Sequence, residues 1–406
     1  MSDANQDLKF VIDAENPYNY QPQGFHPIHI GDSFSDGRYT VLHKLGHGKS
    51  STIWVVHDAN DNSLKSLKVV AAWRSDTEVQ VLRHLEANFD EQEEGSQHVA
   101  RMFDAFIHEG PNGRHQCIVG EVLGPNLASY VGNFWASERF PPEMVRRMFG
   151  QIALGVRYLH KRDVAHGDLH QGNILLRLPI TWRTASDVEQ DLGVAGEHEY
   201  GADLTSPHQP RYLVPGMCDD PYLLQLCLRQ PHIKICDFSE SSIPTLTDPP
   251  YLASPLILRP PEAILGFLEH PTLQSDIWAL AVLCHLLFAN GRSLFYRGDK
   301  MLLDMVLNLG KLPEELWTSW PGHTDFDDQG RAIRGPNVSI FLKFGFETIP
   351  EGKERKVLET LLRSMVCYDT QKRLTAEQVV VSEWVAEYCR PQMGPEVTYV
   401  VENMDE

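Results

Sequence analysis

The chain has 406 residues, of which 42% are hydrophobic, and it carries a formal net charge of −19. This length and composition suffice for a sizeable hydrophobic core, and no apolar stretch approaches the roughly 20 residues that a membrane-spanning helix needs. The acidic balance disfavours general nucleic-acid binding, which requires a basic face, and it favours basic partners through electrostatic steering. Acidity that merely keeps the protein in solution explains the charge equally well.

A strand, a Gly-rich turn and a second strand are predicted after residues 1–38, an extension rich in Asn, Asp, Gln, Pro and Tyr. β-Branched and aromatic residues favour strands at 39–45 and 52–56, and Gly46 and Gly48 lie between them. Glycines let backbone amides approach phosphate groups closely, whereas a dinucleotide-binding glycine loop would open a helix. Taken alone, this stretch is more often an ordinary hairpin turn.

A third strand is predicted at 64–70, and it contains Lys68. Burying an ammonium group is costly unless the group is paired. Glu78 begins a segment whose apolar residues share one helical face, and it is our candidate partner for Lys68. The alternatives are a lysine that protects a sheet edge from aggregation and an acid that stabilises a first helical turn.

The stretch 164–176 is the most informative part of the chain. Asp168 precedes Asn173 by five residues and an apolar run follows, which is the spacing of a phosphotransferase catalytic loop. In that chemistry a carboxylate orients the attacking hydroxyl, and a neutral oxygen ligand binds a magnesium ion beside it. An amphipathic helix is predicted at 144–161, just before the loop. A polar loop between a helix and a strand is the alternative explanation.

Three further elements follow in the chain. Asp237 ends a predicted short strand in the sequence Ile-Lys-Ile-Cys-Asp-Phe-Ser, where a carboxylate could hold magnesium against nucleotide phosphates. Glu262 lies in the sequence Arg-Pro-Pro-Glu, and Arg373 is its natural ion-pair partner. Asp276 begins an apolar run that is too short to span a membrane and is typical of a buried helix.

In this order the motifs resemble those of eukaryotic protein kinases over about residues 39–390. They resemble more narrowly the SR-protein kinase group, including its SRPK-like members in fungi, at 24–32 with 37–39, at 51–54 and at 117–124, and in a long insert before Asp237. The resemblance implies an α+β, bilobal protein kinase fold. Its parts would be an N-terminal extension at 1–38, irregular and partly packed on the N-lobe, and a small, mainly β N-lobe at 39–123. A larger, mainly α C-lobe at 124–390 with an insert at about 178–232 and an acidic tail at 391–406 would follow.

The resemblance also implies a function: an ATP- and Mg2+-dependent protein serine/threonine kinase, with Arg/Ser-rich basic proteins as the group's preferred substrates. The residues implied in ATP binding are Leu45, Gly46, His47, Gly48, Lys49, Ser50, Ser51, Ile53, Ser66, Lys68, Glu78, Glu121, Leu123 and Leu175. Those implied in catalysis are Asp168, Lys68 and His170. Those implied in binding Mg2+ are Asn173 and Asp237. Those implied in structural support are Glu262, Asp276 and Arg373.

Several positions depart from the usual kinase pattern. Gly167 replaces the arginine that normally binds a phosphorylated activation loop, which argues against regulation by such a phosphate. His170 replaces the usual lysine, Ser239 replaces the last glycine of Asp-Phe-Gly, and Gly120 occupies the position that controls entry to a pocket behind the adenine site. An inactive kinase usually lacks at least one of four core polar groups. All four are present in this chain, as Lys68, Asp168, Asn173 and Asp237.

Two other functions stay open at this point. A pseudokinase scaffold would bind a nucleotide or a partner without phosphoryl transfer, and Gly167 and Ser239 favour it. A small-molecule phosphotransferase is favoured only by 166–173, which is close to the catalytic loop of aminoglycoside- and choline-type phosphotransferases. For a protein kinase we expect a monomer in the cytoplasm, the nucleus or both, with no nucleic-acid or membrane partner, since the polar first ten residues do not form a signal peptide.

Overall fold

The computed structural model of the chain describes residues 14–132, 140–195, 206–217, 221–244, 246–248, 250–295, 298–333 and 348–397. The outer part of the predicted N-terminal extension, residues 196–205 and 218–220 of the predicted insert, and residues 398–406 of the predicted tail lie outside these ranges. The domain boundaries drawn from the sequence therefore stay predictions.

Eight strands in the described ranges form two antiparallel sheets. They are β1 Ser33–Phe34, β2 Tyr39–His47, β3 Ser51–Asp58, β4 Ser63–Val70, β5 Met102–Gly110, β6 Gly113–Gly120, β7 Ile174–Leu176 and β8 Ile233–Ile235. Strands β1 to β6 form one sheet in the order β1-β2-β3-β4-β6-β5, and β7 pairs with β8 in a second sheet. The strands predicted at 39–45, 52–56 and 64–70 are confirmed as β2, β3 and β4, each slightly longer than predicted.

Helices are the main regular elements after β6, and α1 packs beside the first sheet. They are α1 Thr77–Ala87, α2 Leu127–Gly132, α3 Pro142–His160, α4 Ala185–Leu192, α5 Pro221–Leu228, α6 Pro261–Ile264, α7 Leu273–Phe288, α8 Met301–Leu309, α9 Glu314–Ser319, α10 Lys353–Met365 and α11 Ala376–Val380. The helix predicted at 144–161 is α3. A mainly β first part and a mainly α second part confirm the α+β class.

The central helix of the second part is α7. Thr272 and Ser275 begin it with reciprocal side-chain to backbone hydrogen bonds, a capping arrangement that satisfies two of the free amides at a helix start. From Ser275 to Phe288 the helix is buried throughout, so the apolar run read as a buried helix packs on every side. Within the described ranges no helix is both long enough and apolar enough to cross a membrane.

The described part of the N-terminal extension packs against the first sheet. It contains β1, and Phe25, Ile28 and Phe34 are buried against the first sheet. Glu15 pairs with the fully buried Lys44 of β2 and accepts a hydrogen bond from the hydroxyl of Tyr20. Residues 14–38 therefore pack on the sheet through apolar side chains spaced along them, although β1 and a short 3-10 turn at Pro17–Asn19 are their regular elements.

Candidate active site

A cavity of about 240 Å³ lies between the first sheet and the helical part. Most of the side chains that the sequence assigned to nucleotide binding line it, together with Asn173 and Asp237. Those predicted residues are Leu45, Gly46, His47, Gly48, Ser51, Ile53, Ser66, Lys68, Glu78, Glu121, Leu123 and Leu175. Lys49 and Ser50 instead form the tip of the turn between β2 and β3, where Lys49 is exposed, and they do not line the cavity.

The Gly-rich turn closes with a backbone hydrogen bond. The amide of Gly48 donates to the carbonyl oxygen of Ser51 at 2.8 Å, which reverses the chain between the two strands. Ser51 stands where the kinase pattern has a third glycine, and it is buried as the first residue of β3. The serine therefore belongs to the strand, while the turn retains the small Gly46 and Gly48 along the cavity.

Lys68 is the centre of a buried charge network. Its Nζ donates to Glu78 Oε1 at 2.7 Å and to Asp237 Oδ1 at 3.0 Å, so residues from β4, α1 and the end of β8 meet at one ammonium. Burial opposes the charged form of the lysine, yet the charges of Asp237 and Glu78 raise its pKa above the usual value. Burial raises the pKa of Glu78, whereas Lys68 holds the pKa of Asp237 below the usual value despite burial.

Asp237 adopts an uncommon backbone conformation. Its φ of +62° lies in the left-handed region, which non-glycine residues rarely occupy and which clusters at functional sites. The amide of Cys236 donates to the carbonyl oxygen of Asn173 at 2.9 Å and holds the strand end beside the loop of Asn173. The strain at this bend therefore lies at Asp237, two residues before Ser239, which stands where the usual kinase pattern has a glycine.

The loop that leads into β7 brings Asp168, His170 and Asn173 together. Asn173 Nδ2 donates to the carbonyl oxygen of Asp168 at 2.9 Å, and His170 Nε2 lies 3.4 Å from Asp168 Oδ2. His170 Nδ1 accepts a hydrogen bond from the amide of Gly172 at 2.9 Å, so the ring also stabilises its own turn. Asp168 Oδ1 is buried and has no hydrogen-bond partner among the residues placed by the structure.

Asp276 supports this loop from the first turn of α7. Its two carboxylate oxygens accept hydrogen bonds from the amides of His166 at 2.7 Å and Gly167 at 3.0 Å. His160 Nε2 lies 3.0 Å from the same side chain. Gly167 has a φ of +78°, and a Cβ built there would collide with the carbonyl oxygen of Glu240 and with Pro271. The departure from arginine at this position therefore has a local structural cause.

Arg373 and Glu262 form an ion pair away from the cavity. Arg373 Nη1 lies 2.9 Å from Glu262 Oε1, and the arginine also donates to the carbonyl oxygens of Cys367 and Gln274. The arginine side chain is completely buried, so removing either partner would leave an uncompensated charge. This pair ties the segment around α6 to the region before α11.

The donor set at the cavity fits a hard divalent cation such as Mg2+. Asp237 presents Oδ2, the carboxylate oxygen that Lys68 does not engage, and Asn173 presents an amide oxygen. Oxygen ligands from one carboxylate and one amide, completed by phosphate oxygens, are what Mg2+ uses beside nucleotides. No group of three His, Cys, Asp or Glu side chains able to hold a metal by itself occurs in the described ranges.

Sequence reasoning missed several residues of the cavity wall. The missed residues include Leu82, Ala100, Arg101, Ile118, the segment 124–126, Gly172, Met217, Cys236 and Phe238. For most of them the amphipathic pattern of α1 and the strand ends provided a usable signal. Met217 had no such signal, because it comes from the insert and reaches the cavity only through tertiary packing.

Glu121 lies at the cavity with its side chain already engaged. Lys234 Nζ lies 2.9 Å from Glu121 Oε1, and the amide of Arg101 donates to the same oxygen at 3.2 Å. A ligand in the cavity would therefore meet the backbone of this segment rather than the carboxylate. Gly120 precedes it, and a Cβ there would come within 2.8 Å of the carbonyl oxygen of Arg101, so the lack of a side chain keeps this wall thin.

Comparisons with known proteins agree with the geometry. A family model described as the protein kinase domain matches residues 39–215. The protein kinase dsk1 of Schizosaccharomyces pombe is 35% identical over 174 residues, covering 41% of this chain and 32% of dsk1. The serine/threonine-protein kinase SRPK of Physarum polycephalum is 28% identical over 408 residues, covering 93% of this chain and 92% of that kinase.

A solved structure supports the fold. The crystal structure of a kinase domain matches with a TM-score of 0.60, covering 89% of this chain and 98% of that chain at 16% identity. At this identity the match speaks for the fold alone, and it confirms the predicted protein kinase fold. The chain spans about a third of dsk1, whereas it spans nearly the whole of the Physarum kinase.

Proposed function

We propose that this chain, which matches a protein kinase domain model over residues 39–215 and is similar to kinases such as SRPK of Physarum polycephalum, transfers the γ-phosphate of ATP to serine or threonine hydroxyls of protein substrates. One observation carries the proposal: the Lys68 ammonium, held by Glu78 and Asp237, faces the cavity that Asn173 also lines. Asp168, hydrogen-bonded to Asn173, supplies a buried carboxylate oxygen that lacks a partner in the described structure. The arrangement supports both halves of a phosphoryl transfer, nucleotide binding and activation of a hydroxyl.

The Gly-rich turn, the apolar side chains of the cavity and Lys68 would bind the nucleotide. Gly46 and Gly48 leave the backbone open to phosphate oxygens, and the Lys68 ammonium would pair with the α- and β-phosphates. Leu45 and Ile53 on one side and Leu175 on the other provide apolar surfaces for a purine ring. Glu78 keeps the lysine in place, so its charge does not have to be repositioned when the nucleotide enters.

Asp237 and Asn173 would hold Mg2+, which when bound offsets the negative charge of the phosphates. Their oxygens lie on neighbouring chain segments, because the Cys236 amide is bonded to the Asn173 carbonyl. The bond from Asn173 Nδ2 to the Asp168 backbone leaves the amide oxygen as the metal-facing atom. The same bond fixes the metal-binding and proton-accepting residues relative to each other.

Asp168 would orient the substrate hydroxyl and take its proton. A buried carboxylate oxygen without a donor is costly, and a substrate hydroxyl would supply that donor. His170, with Nε2 near Asp168 Oδ2, would donate a hydrogen bond to the γ-phosphate or to the substrate. In this mechanism the protein contributes positioning and electrostatic stabilisation rather than covalent chemistry.

Basic proteins, and Arg/Ser-rich segments in particular, are the substrates that we propose. The net charge of −19 favours their association by electrostatic steering, and the Physarum relative is named SRPK. The proposal extends to a monomer that acts on proteins rather than on nucleic acids or membranes, in the cytoplasm, the nucleus or both. Sedimentation of the purified chain and imaging of the tagged protein in cells test these two points.

The test is a peptide-library phosphorylation assay with radiolabelled ATP and Mg2+. Serine peptides flanked by arginine should accept phosphate, and matched peptides flanked by glutamate should not. Asp168→Ala, purified in parallel, serves as the control for contaminating kinases. Nucleotide binding without any transfer to peptides would instead support a scaffold, and phosphate found only on a small metabolite would support a small-molecule phosphotransferase.

A further inference from the structure

The insert between β7 and β8 returns across the first sheet before it rejoins the helical part. Residues 206–217, here called the insert arm, pack on the same face as the N-terminal extension. Val214 is 1% exposed within the core cluster that contains Trp54 and Val56. Leu213 is buried with Phe25 in a neighbouring cluster. Apolar side chains therefore anchor the insert arm to the sheet that carries Lys68.

Polar contacts fix the position of the insert arm along the sheet. The amide of Ile30 donates to the hydroxyl of Tyr212 at 3.1 Å. Asn112, between β5 and β6, donates through Nδ2 to the carbonyl oxygen of His208 at 2.8 Å, and its Oδ1 lies 2.7 Å from His208 Nδ1. These contacts join residues nearly 100 to 180 positions apart, so they define a single placement of the arm rather than a loose covering.

The end of the insert arm reaches the Gly-rich turn. The amide of Met217 donates to the carbonyl oxygen of Leu45 at 3.0 Å. Gly216 lies directly against the backbone of Gly46, since a Cβ built at Gly216 would come within 2.9 Å of the Gly46 Cα. A segment from the insert therefore holds the strand that leads into the turn over the proposed phosphate site.

Met217 itself is part of the cavity wall. Its side chain is 5% exposed and lines the same space as Leu45, Ile53 and Leu175. A thioether side chain is flexible and polarizable, and it packs well against aromatic rings. Asp168 does not line this cavity, so Met217 lies on the nucleotide side of the site and not at the reacting hydroxyl.

We propose that Met217 is a nucleotide-positioning residue: the insert arm supplies through it an apolar wall for the purine ring and holds the Gly-rich turn in place. This inference rests on the proposed function, since it assumes that the cavity takes a purine nucleotide. It assigns the insert a role in nucleotide affinity. It follows that changes in the insert arm alter the KM for ATP while kcat is largely retained.

The experiment measures Kd for ADP and Mg2+ by calorimetry, because binding of ADP requires no turnover. Met217→Ala should raise Kd by about four- to fifteenfold, the loss expected for one or two buried methylene-sized contacts with a ring. Met217→Leu restores an apolar wall and should bind within about twofold of wild type. Steady-state assays of Met217→Ala should give a raised KM for ATP with kcat within about twofold of wild type.

Two further variants separate this effect from general destabilisation. Met301→Ala removes the same atoms from a residue that is 2% exposed on α8, outside the cavity, and should lower Tm without changing Kd. Met217→Gln keeps the side-chain length and covers the case in which the alanine variant does not fold; its polar amide should also raise Kd. Wild-type Kd in Met217→Ala and Met217→Gln would overturn the inference and leave the proposed function intact. Failure of the wild type to bind ADP would overturn the proposed function itself.

Discussion

The proposed site has two sides, one that would bind the nucleotide and one that would bind the substrate hydroxyl. Different kinds of interaction hold these two sides, here called the nucleotide side and the hydroxyl side. On the nucleotide side, Lys68, Glu78 and Asp237 are fixed by each other's charge in a buried network. On the hydroxyl side, Asp168 and Asn173 are fixed by backbone hydrogen bonds, and Asp276 in turn fixes the loop that carries them. Loss of one partner should therefore alter charge balance on the first side and geometry on the second.

The largest expected effect tests the hydroxyl side. Asp168→Ala removes the group that we propose accepts the substrate proton, and kcat should fall by roughly 10³-fold, within the range for general-base catalysis. Kd for ADP and Mg2+ should stay within about twofold of wild type, because Asp168 does not line the nucleotide cavity. Quenched-flow phosphorylation and calorimetry measure the two quantities. A variant that turns over at the wild-type rate would remove Asp168 from the mechanism.

Lys68→Met tests the nucleotide side. The variant loses the cation that would stabilise charge on the phosphates, and kcat/KM for ATP should fall by about 10²-fold. The free enzyme should also be less stable at neutral pH, because the buried Glu78 and the half-exposed Asp237 are left as neighbouring carboxylates without a cation. An unchanged kcat/KM for ATP would contradict the proposed role of Lys68.

The pH dependence of that instability has a definite sign. In the wild type burial raises the pKa of Glu78 while Lys68 opposes that rise, and Lys68 lowers the pKa of Asp237; without Lys68 the pKa of Glu78 should rise further and that of Asp237 should no longer be lowered. A raised carboxyl pKa destabilises the folded state most at high pH, and the deficit shrinks as pH falls towards the unfolded pKa of about 4. Urea unfolding of both proteins across this range measures the difference. A deficit that grows in acid would contradict the charge network.

Asp276→Asn should have a smaller effect, confined to turnover. An amide has one acceptor oxygen, so one of the two backbone amides of His166 and Gly167 loses its carboxylate partner. The loop should shift slightly, and kcat should fall by about tenfold, equivalent to one weakened hydrogen bond. Kd for ADP should not change. A variant in which ADP binding weakens as much as turnover would mean that the two sides are not positioned separately.

The smallest expected effect concerns the protonation of His26, a residue of the N-terminal extension. Burial, and secondly the charges of His108 and His115, lower the pKa of His26 to about 3. The unfolded chain takes up this proton below about pH 6.5 and the folded chain does not, so wild-type stability should fall by about 1.4 kcal/mol between pH 7.5 and 5.5 through this residue. His26→Phe should remove that part of the slope in urea unfolding. An unchanged slope would contradict a neutral, buried His26.

The sequence predicted those parts of the site that depend on chemistry carried by short segments. Lys68 in a strand, Glu78 in a helix, and the spacing of Asp168 and Asn173 each combine a polar group with a local pattern, and local patterns survive folding. Lys68, Glu78 and Asn173 meet at one cavity, and Asp168 lies beside it through its contact with Asn173, because the strands and helices pack in the expected order. The strands predicted around the Gly-rich turn were confirmed for the same reason.

Other features depend on tertiary packing and could not be read from the chain. Met217 reaches the cavity because Val214 and Tyr212 anchor the insert arm to the first sheet, which is distant in sequence. No pattern of residues near Met217 predicts that placement. Glu121 lies at the cavity as the sequence predicted, but its carboxylate pairs with Lys234, which follows much later in the chain. The order within the N-terminal extension likewise depends on Lys44, a buried cation that selects Glu15 as its partner.

Gly167 has a consequence for how this protein can change. A positive φ, the Glu240 carbonyl and Pro271 together exclude any side chain at this position unless the segments around it move first. An arginine that reads a phosphate on the neighbouring segment therefore cannot be gained by a single substitution. Control of this enzyme through such a phosphate would need several coordinated mutations, so variation among descendants should leave residue 167 as glycine even where its surroundings diverge.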